Sequence, residues 1–145
     1  MRRILLAADF SKASRKAFTT ALQMARRNRG TVTILHVIAP LIPMSPDQYT
    51  AFDTWEDLEK QGRLWAQREL NKLTAKAKKA GVRAVGVVAQ GGAAQEIVRT
   101  ARRRRADLIV IGTHDRTGLA KLFLGSVASA VVATSPCPVL TVRGL

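Results

Sequence analysis

Between Gly112 and Ser126 the chain collects residue types suited to holding phosphate: Gly112, Gly118 and Gly125, the hydroxyl of Ser126, and His114 and Asp115 near the start of the loop. Glycine lets backbone come close to a ligand, and the N–H groups that open a helix attract an anion. Ser126 is placed to cap such a helix and to offer its hydroxyl to a phosphate oxygen. The same pattern also serves as plain turn-and-cap chemistry, so both readings stand at this point. More specific phosphate and nucleophile motifs are absent. Five residues separate Gly112 from Gly118 and Leu119 follows, which excludes Gly-x-x-x-x-Gly-Lys-[Ser/Thr]. Neither Gly-x-Gly-x-x-Gly nor the elbow Gly-x-Ser-x-Gly occurs. Asp9 is a second candidate: its carboxylate either faces a ligand or accepts from the Ser11 amide as a turn and cap. His36, inside an apolar run, reads as a satisfied core or interface histidine. His114 and Asp115 are adjacent in sequence, and such neighbours rarely make a triad, so no convincing catalytic constellation emerges.

The elements that must position these residues follow from hydrophobic periodicity. Residues 3–8 (RILLAA) form a short buried-strand pattern, with Ser11 as the N-cap of a helix from Lys12 to Arg29 that Gly30 ends. Residues 31–38 (TVTILHVI) are β-branched and predict a second strand. Pro40, Pro43 and Pro46 mark a loop, followed by a long helix from about Thr54 to Ala80 that Gly81 closes. Trp55 and Trp65, on that helix, read as packing residues. Strands are predicted at 82–88, 107–112 and 138–143, and helices at Ala93–Arg105 and Ser126–Thr134. Strict alternation implies right-handed crossovers and a mostly parallel sheet covered on both faces. Ligands of such sheets sit beyond the carboxyl ends of the strands, which directs attention to the loops at Asp9, Val37, Gly91 and Gly112.

At these positions the chain resembles the universal stress protein family, over essentially its whole length. The resemblance rests on Ile4-Leu-Leu-Ala-Ala-Asp-Phe-Ser11, Leu35-His-Val37, Gly91, Asp107-Leu-Ile-Val-Ile-Gly112 and Ser135-Pro-Cys-Pro-Val-Leu-Thr-Val142. ATP-binding members of that family carry Gly-x2-Gly-x9-Gly-[Ser/Thr] after the fourth strand. Here the spacing is Gly112, two residues, Asp115, nine residues, Gly125 and Ser126, so an aspartate replaces the second glycine. The resemblance implies a Rossmann-like α/β fold of the adenine nucleotide alpha hydrolase type. Its five-stranded, mostly parallel sheet would have order 3-2-1-4-5, with a switch point between the first and fourth strands. By the same resemblance, Asp9, flanked by Ala7 and Ala8, would face the ribose or metal side of a bound nucleotide. Val37 would bond the adenine through its backbone. Ile111, Gly112 and His114 would line the ribose–phosphate path, Asp115 would lie close to the nucleotide, and Gly125, Ser126 and Val127 would hold phosphates. The implied cofactor is ATP, with Mg²⁺ as an accompanying ion. The implied role is stress response or signalling with at most slow ATP hydrolysis. Family members pair the final strand with its twin, which implies a homodimer across residues 138–143.

Composition bounds the remaining readings. A chain of 145 residues fits one domain, residues 1–145, with core enough to need no staple. Cys137 is the only cysteine, so no intrachain disulfide forms, and His36 and His114 leave a Cys/His zinc site short of ligands. A cytoplasmic location fits. The uncharged stretch from Leu122 to Val142 has membrane-spanning length, but Pro136 and Pro138 would break such a helix, so no membrane partner is expected. Lys and Arg number 24 against 10 Asp and Glu, a net charge of +14, and five of the acids fall between residues 47 and 59. That balance favours anionic partners and keeps two alternatives open: a dimeric interaction module with an empty pocket, and weak nonspecific polyanion binding centred on Arg102–Arg105. Sequence-specific nucleic-acid reading is not expected, because no recognition helix or RNA-module signature accompanies the arginines.

Overall fold

The structure is a computed structural model and describes residues 1–40, 55–113 and 124–144. Strands and helices alternate: β1 (Arg3–Ala7), α1 (Lys12–Asn28), β2 (Thr31–Ile38), α2 (Trp55–Lys79), β3 (Arg83–Gln90), α3 (Ala93–Arg103), β4 (Leu108–Thr113), α4 (Ser126–Thr134) and β5 (Val139–Arg143). The sheet has order β3-β2-β1-β4-β5, and every pairing is parallel. The expected fold class and strand order are both present.

Strands covered on two faces must be apolar on both, which is why β1 and β4 read as unbroken hydrophobic runs. Ile4, Leu6 and Ala8 turn to one face, where they meet Ala17, Phe18, Ala21 and Ala25 of α1 and Leu70 and Ala77 of α2. Leu5 turns to the other, with Leu35, Ile109 and Ile111 beneath Ile97 and Ala101 of α3 and Ala128 and Val131 of α4. Leu5 and Leu6 are at most 1% exposed, and burying each such side chain is worth about 1.5–3 kcal/mol. The stripe Ala13, Ala17, Ala21 and Ala25 recurs every fourth residue, so α1 presents one smooth row of buried small side chains to the sheet.

Helix ends differ from the sequence expectations in instructive ways. Arg29, not Gly30, takes the left-handed C-cap position of α1, at φ 52°. Gly30 is glycine because a Cβ there would collide with the carbonyl oxygen of Arg2, which accepts a hydrogen bond from Thr31 N at 2.7 Å. Gly81 does adopt positive φ, 78°, as the closing residue of α2. α3 stops at Arg103 because Arg105 turns left-handed, φ 52°, and Ala106 N reaches back to Ala101 O at 2.9 Å. β3 extends to Gln90 because Val88, Ala89 and Gln90 keep pairing with His36, Val37 and Ile38. Among the described residues no helix is long and apolar enough to cross a membrane.

Candidate functional site

Strand order reverses between β1 and β4: the chain leaves β1 toward β2 and β3, then crosses to β4 and β5. Ala7 sits at that seam, paired with Leu35 on one side and Ile111 on the other. Beyond it α1 and α4 cover opposite faces of the sheet, the arrangement that leaves a crevice at the carboxyl edge. Ala7 and Val37 lie partly buried against the cluster beneath α3 and α4, with Ile111 inside it, 6% exposed. Ala8 turns the opposite way and is tied to the sheet by its N–H to Leu35 O at 2.8 Å.

The Asp9 loop is knitted by short polar side chains. Asp9 Oδ1 accepts from Ser11 N at 3.0 Å, an Asx turn leading into α1. Ser11 Oγ caps the helix by accepting from Ser14 N at 3.2 Å. The buried Ser14 returns its own Oγ to accept from Asp9 N at 3.2 Å. Between them Phe10 holds φ at 65°, a conformation that costs a bulky residue on the order of 1–2 kcal/mol. Its ring lies 4.7 Å from the His36 ring and meets Trp65 edge-on at 5.3 Å, contacts that help offset that strain. His36 Nδ1 lies 2.7 Å from Ala8 O, so Nδ1 carries the proton and donates. The reading of His36 as a satisfied histidine therefore holds, with the ring partly buried, and Trp65 is a packing residue although it is 46% exposed.

On the opposite side of the crevice α4 begins. Its N-cap is Gly125, with no side-chain hydrogen bond, and Ser126 is the first helical residue rather than the cap. The correction rests on backbone geometry, since Gly125 at φ −53° and ψ 158° stands outside the helical region; among the described residues a Cβ there would meet nothing within 4 Å. Val127 is 36% exposed, while Ala128 is buried and anchors the turn. Gly112 differs. A Cβ there would lie 2.6–2.8 Å from the backbone of Ala13 and Ser14, so its missing side chain makes room for α1.

Charge at the helix starts sorts with the crevice. α2 carries Glu56 and Asp57 in its first turn, and α3 carries Glu96. α1 and α4, the helices that flank the switch point, carry no acid in theirs. Their positive dipole ends are thus not neutralised from within the first turn. Asp9, just ahead of the α1 cap, supplies the nearest described carboxylate.

Ala7, Ala8, Asp9, Val37, Ile111, Gly112, Gly125, Ser126 and Val127 thus all belong to the carboxyl edge. His114 and Asp115 lie outside the described residues. Sequence reasoning passed over Ser14 and Phe10 and did not bring Phe10, His36 and Trp65 into one group. The spacing Asp9-x-Ser11-x-x-Ser14 and the alternation Val32, Ile34, His36 toward the α1–α2 face were the signals that could have found them.

The model of the universal stress protein family matches residues 1–143. The universal stress protein MJ0531 of Methanocaldococcus jannaschii is 31% identical, the match covering 98% of this chain and 82% of that protein. The universal stress protein YxiE of Bacillus subtilis is 30% identical, over 97% of this chain and 98% of its own length. Among solved structures, the hypothetical protein MJ0577 superposes with TM-score 0.80 and 25% identity, covering 98% of this chain and 95% of that one. Two more distant structures share the fold, and both are described as ligand complexes. A universal stress protein in complex with cAMP has TM-score 0.70 at 23% identity, covering 99% of this chain and 98% of its own. One from Archaeoglobus fulgidus in complex with dAMP has TM-score 0.68 at 21% identity, covering 98% of each chain.

Proposed function

The chain belongs to the universal stress protein family, and on that premise we propose that it binds ATP or a related adenine nucleotide at the β1/β4 crevice in a stress-response or signalling role. One observation carries this reading. The two helices at the switch point leave their first turns free of acid, and among the described residues nothing obstructs the glycine cap of α4, where a phosphate would approach. Relatives of the same fold are described with cAMP and dAMP bound, so adenine on a phosphorylated pentose is the common chemistry.

In this proposal the Val37 backbone bonds the adenine, and Asp9 with Ala7 and Ala8 borders the ribose. Ile111, Gly112 and His114 line the path to the phosphates, which rest on the amides of Gly125, Ser126 and Val127 and on the Ser126 hydroxyl. Asp9 and Asp115 are hard oxygen donors of the kind Mg²⁺ selects, and the ion would neutralise phosphate charge there. No base is identified for activating water, so turnover is at most slow. A cytoplasmic setting fits the single thiol, Cys137. The open side of β5 completes the proposal as a homodimer contact with a second copy. Ile109 N donates to Pro138 O, which leaves the N–H groups of residues 139 and 141 facing away from β4. Thr141→Pro removes one of them without breaking a bond to β4, and sedimentation should then show monomer. An unchanged dimer would place the interface elsewhere.

Asp115 favours a second reading, an interaction module with an empty pocket, because a carboxylate replaces the motif glycine. Denaturing freshly purified protein and identifying released nucleotide by mass spectrometry is the direct test. ATP titration of the wild type and Asp115→Gly, each with and without Mg²⁺, sharpens it. The glycine variant should bind several-fold tighter without metal, since one like-charge pair at about 4 Å is worth on the order of 1 kcal/mol even in water. Binding by neither protein would establish the empty module.

A further inference from the structure

The end of the sheet opposite the crevice carries a charge pattern that nucleotide binding does not use. There every strand begins and every helix from α1 to α3 ends. β1 opens on Arg2 and Arg3, and β3 on Arg83. α1 closes with Arg26, Arg27 and Arg29; α2 with Lys76, Lys78 and Lys79; and α3 runs out through Arg102 to Arg105. More than half of the chain's 24 basic residues therefore crowd one pole, and all of these are exposed.

Register brings them into one surface. Arg3 pairs with Thr31, and Thr31 with Arg83. Arg26, Arg29 and Arg83 border one hollow of about 420 Å³, and Lys78, Arg83 and Arg104 border a neighbouring groove of about 820 Å³. Thr31, Thr33, Asn71 and Thr74 supply hydrogen-bonding groups between the cations of that groove. Asp107 is the acid of this pole among the described residues. Its carboxylate is engaged, because Oδ2 accepts from Arg2 N at 3.0 Å and Arg3 N at 2.9 Å. The ion pairs Lys72–Glu69 and Arg99–Glu96 lie ahead of the last turns of α2 and α3. Cations complement the negative ends of helix dipoles, but one or two per helix meet that need, and the interaction fades within the last turn.

We propose that this basic pole is a docking surface for the phosphate backbone of duplex nucleic acid, separate from the nucleotide crevice. Guanidinium groups dominate it, and their planar forks match phosphate oxygens in pairs. Aromatic rings are missing from the pole among the described residues, so it lacks the stacking platform of a single-strand binder. Its exposed large hydrophobics are Met1 and Val85, too little apolar surface to anchor in a bilayer. Contact is with backbone charge alone, so binding is independent of base sequence and strongly salt-dependent.

The test compares two variants of equal net charge by fluorescence anisotropy with a labelled 20-bp DNA duplex. Arg29→Gln, Arg83→Gln and Arg104→Gln together remove charge from the pole. Lys16→Gln, Lys60→Gln and Arg68→Gln remove as much from elsewhere. All six side chains are exposed, and circular dichroism of each variant verifies the fold. The pole variant should bind the duplex at least tenfold more weakly at low salt, and the slope of log K against log salt should fall by roughly 2 to 3. The control variant should stay within about twofold of wild type. Equal weakening in both variants would reduce the effect to net charge and overturn the proposal. So would tighter binding to anionic vesicles or to a single strand than to the duplex.

Discussion

The two ends of this sheet are built from opposite materials. At the carboxyl edge, small residues dominate: Ala7, Ala8, Ser11, Ser14, Gly112, Gly125 and Ser126. Side chains there fold back onto the backbone, as Asp9, Ser11 and Ser14 do. At the amino edge, long cationic side chains project into solvent from the starts of β1 and β3 and from the ends of α1, α2 and α3. A parallel α/β sheet imposes part of this contrast, because all helix N-termini gather at one end and all C-termini at the other. Sequence supplies the rest: acids neutralise the first turns of α2 and α3 but spare α1 and α4, and arginines accumulate beyond what the dipoles need. Under the two proposals, one end would surround a small anion closely and the other would meet a large one broadly.

Substitution at the glycines should sharpen that contrast most. Gly112→Ala sets a Cβ against immovable backbone of α1, and overpacking of this kind costs about 1–3 kcal/mol. Chemical denaturation should register a loss in that range, and the proposed nucleotide binding should weaken with it as α1 shifts. Gly125→Ala should cost no more than about 1 kcal/mol, the preference for glycine over alanine at an N-cap, yet weaken the proposed nucleotide binding, since no described residue would meet its methyl group. Equal behaviour of the two glycines would erase the distinction between a packing glycine and a ligand-facing one.

Ser14→Ala should come next. It removes the buried acceptor of the Asp9 amide, and the net cost of one such hydrogen bond is about 1 kcal/mol. Denaturation would measure that loss, and faster hydrogen exchange at Asp9 would localise it. Unchanged exchange would mean that the Asp9 turn and the Phe10 ring contacts hold the loop without the Ser14 hydroxyl.

The smallest expected effect lies at the basic pole. The amides of Arg3 and Arg2 hold the Asp107 carboxyl below the ordinary aspartate range. A carboxyl that ionises more easily in the folded chain stabilises it above the unfolded pKa, near 4, and loses that contribution as pH falls through the lower folded value. Asp107→Asn should therefore narrow the stability difference between neutral and strongly acid solution, as followed by acid titration of unfolding. The side chain is exposed, so the shift should be modest. An identical acid profile in both proteins would remove Asp107 as a titrating contact.

Much of this architecture was legible in the chain because periodicity reports burial. The predicted β2 and α4 boundaries match those found, and the other elements differ by a few residues at their ends. Those ends were set by backbone geometry that composition does not carry. Left-handed Arg29 and Arg105 terminate helices although neither is glycine, and Gly30 serves a close approach to Arg2. Strand order came from family resemblance, because alternation alone permits several orders. The candidate site was legible as strand-end positions, whereas the division of labour between Gly112 and Gly125 was not. Two glycines look alike in a sequence until the atoms beside each are known.

The seam between β1 and β4 also has a history in time. β1 finds its neighbour β2 after one helix, but the Asp107 bond to Arg2 spans 105 positions and must wait for β4. Closing so long a loop is entropically costly and belongs late in folding, when β1, β2 and β3 already have their helices to lean on. During synthesis, one flank of β1 therefore stays bare until most of the chain has emerged. The crevice comes into being when that flank is covered, so its occupant would act as a latch on the finished fold and slow its opening.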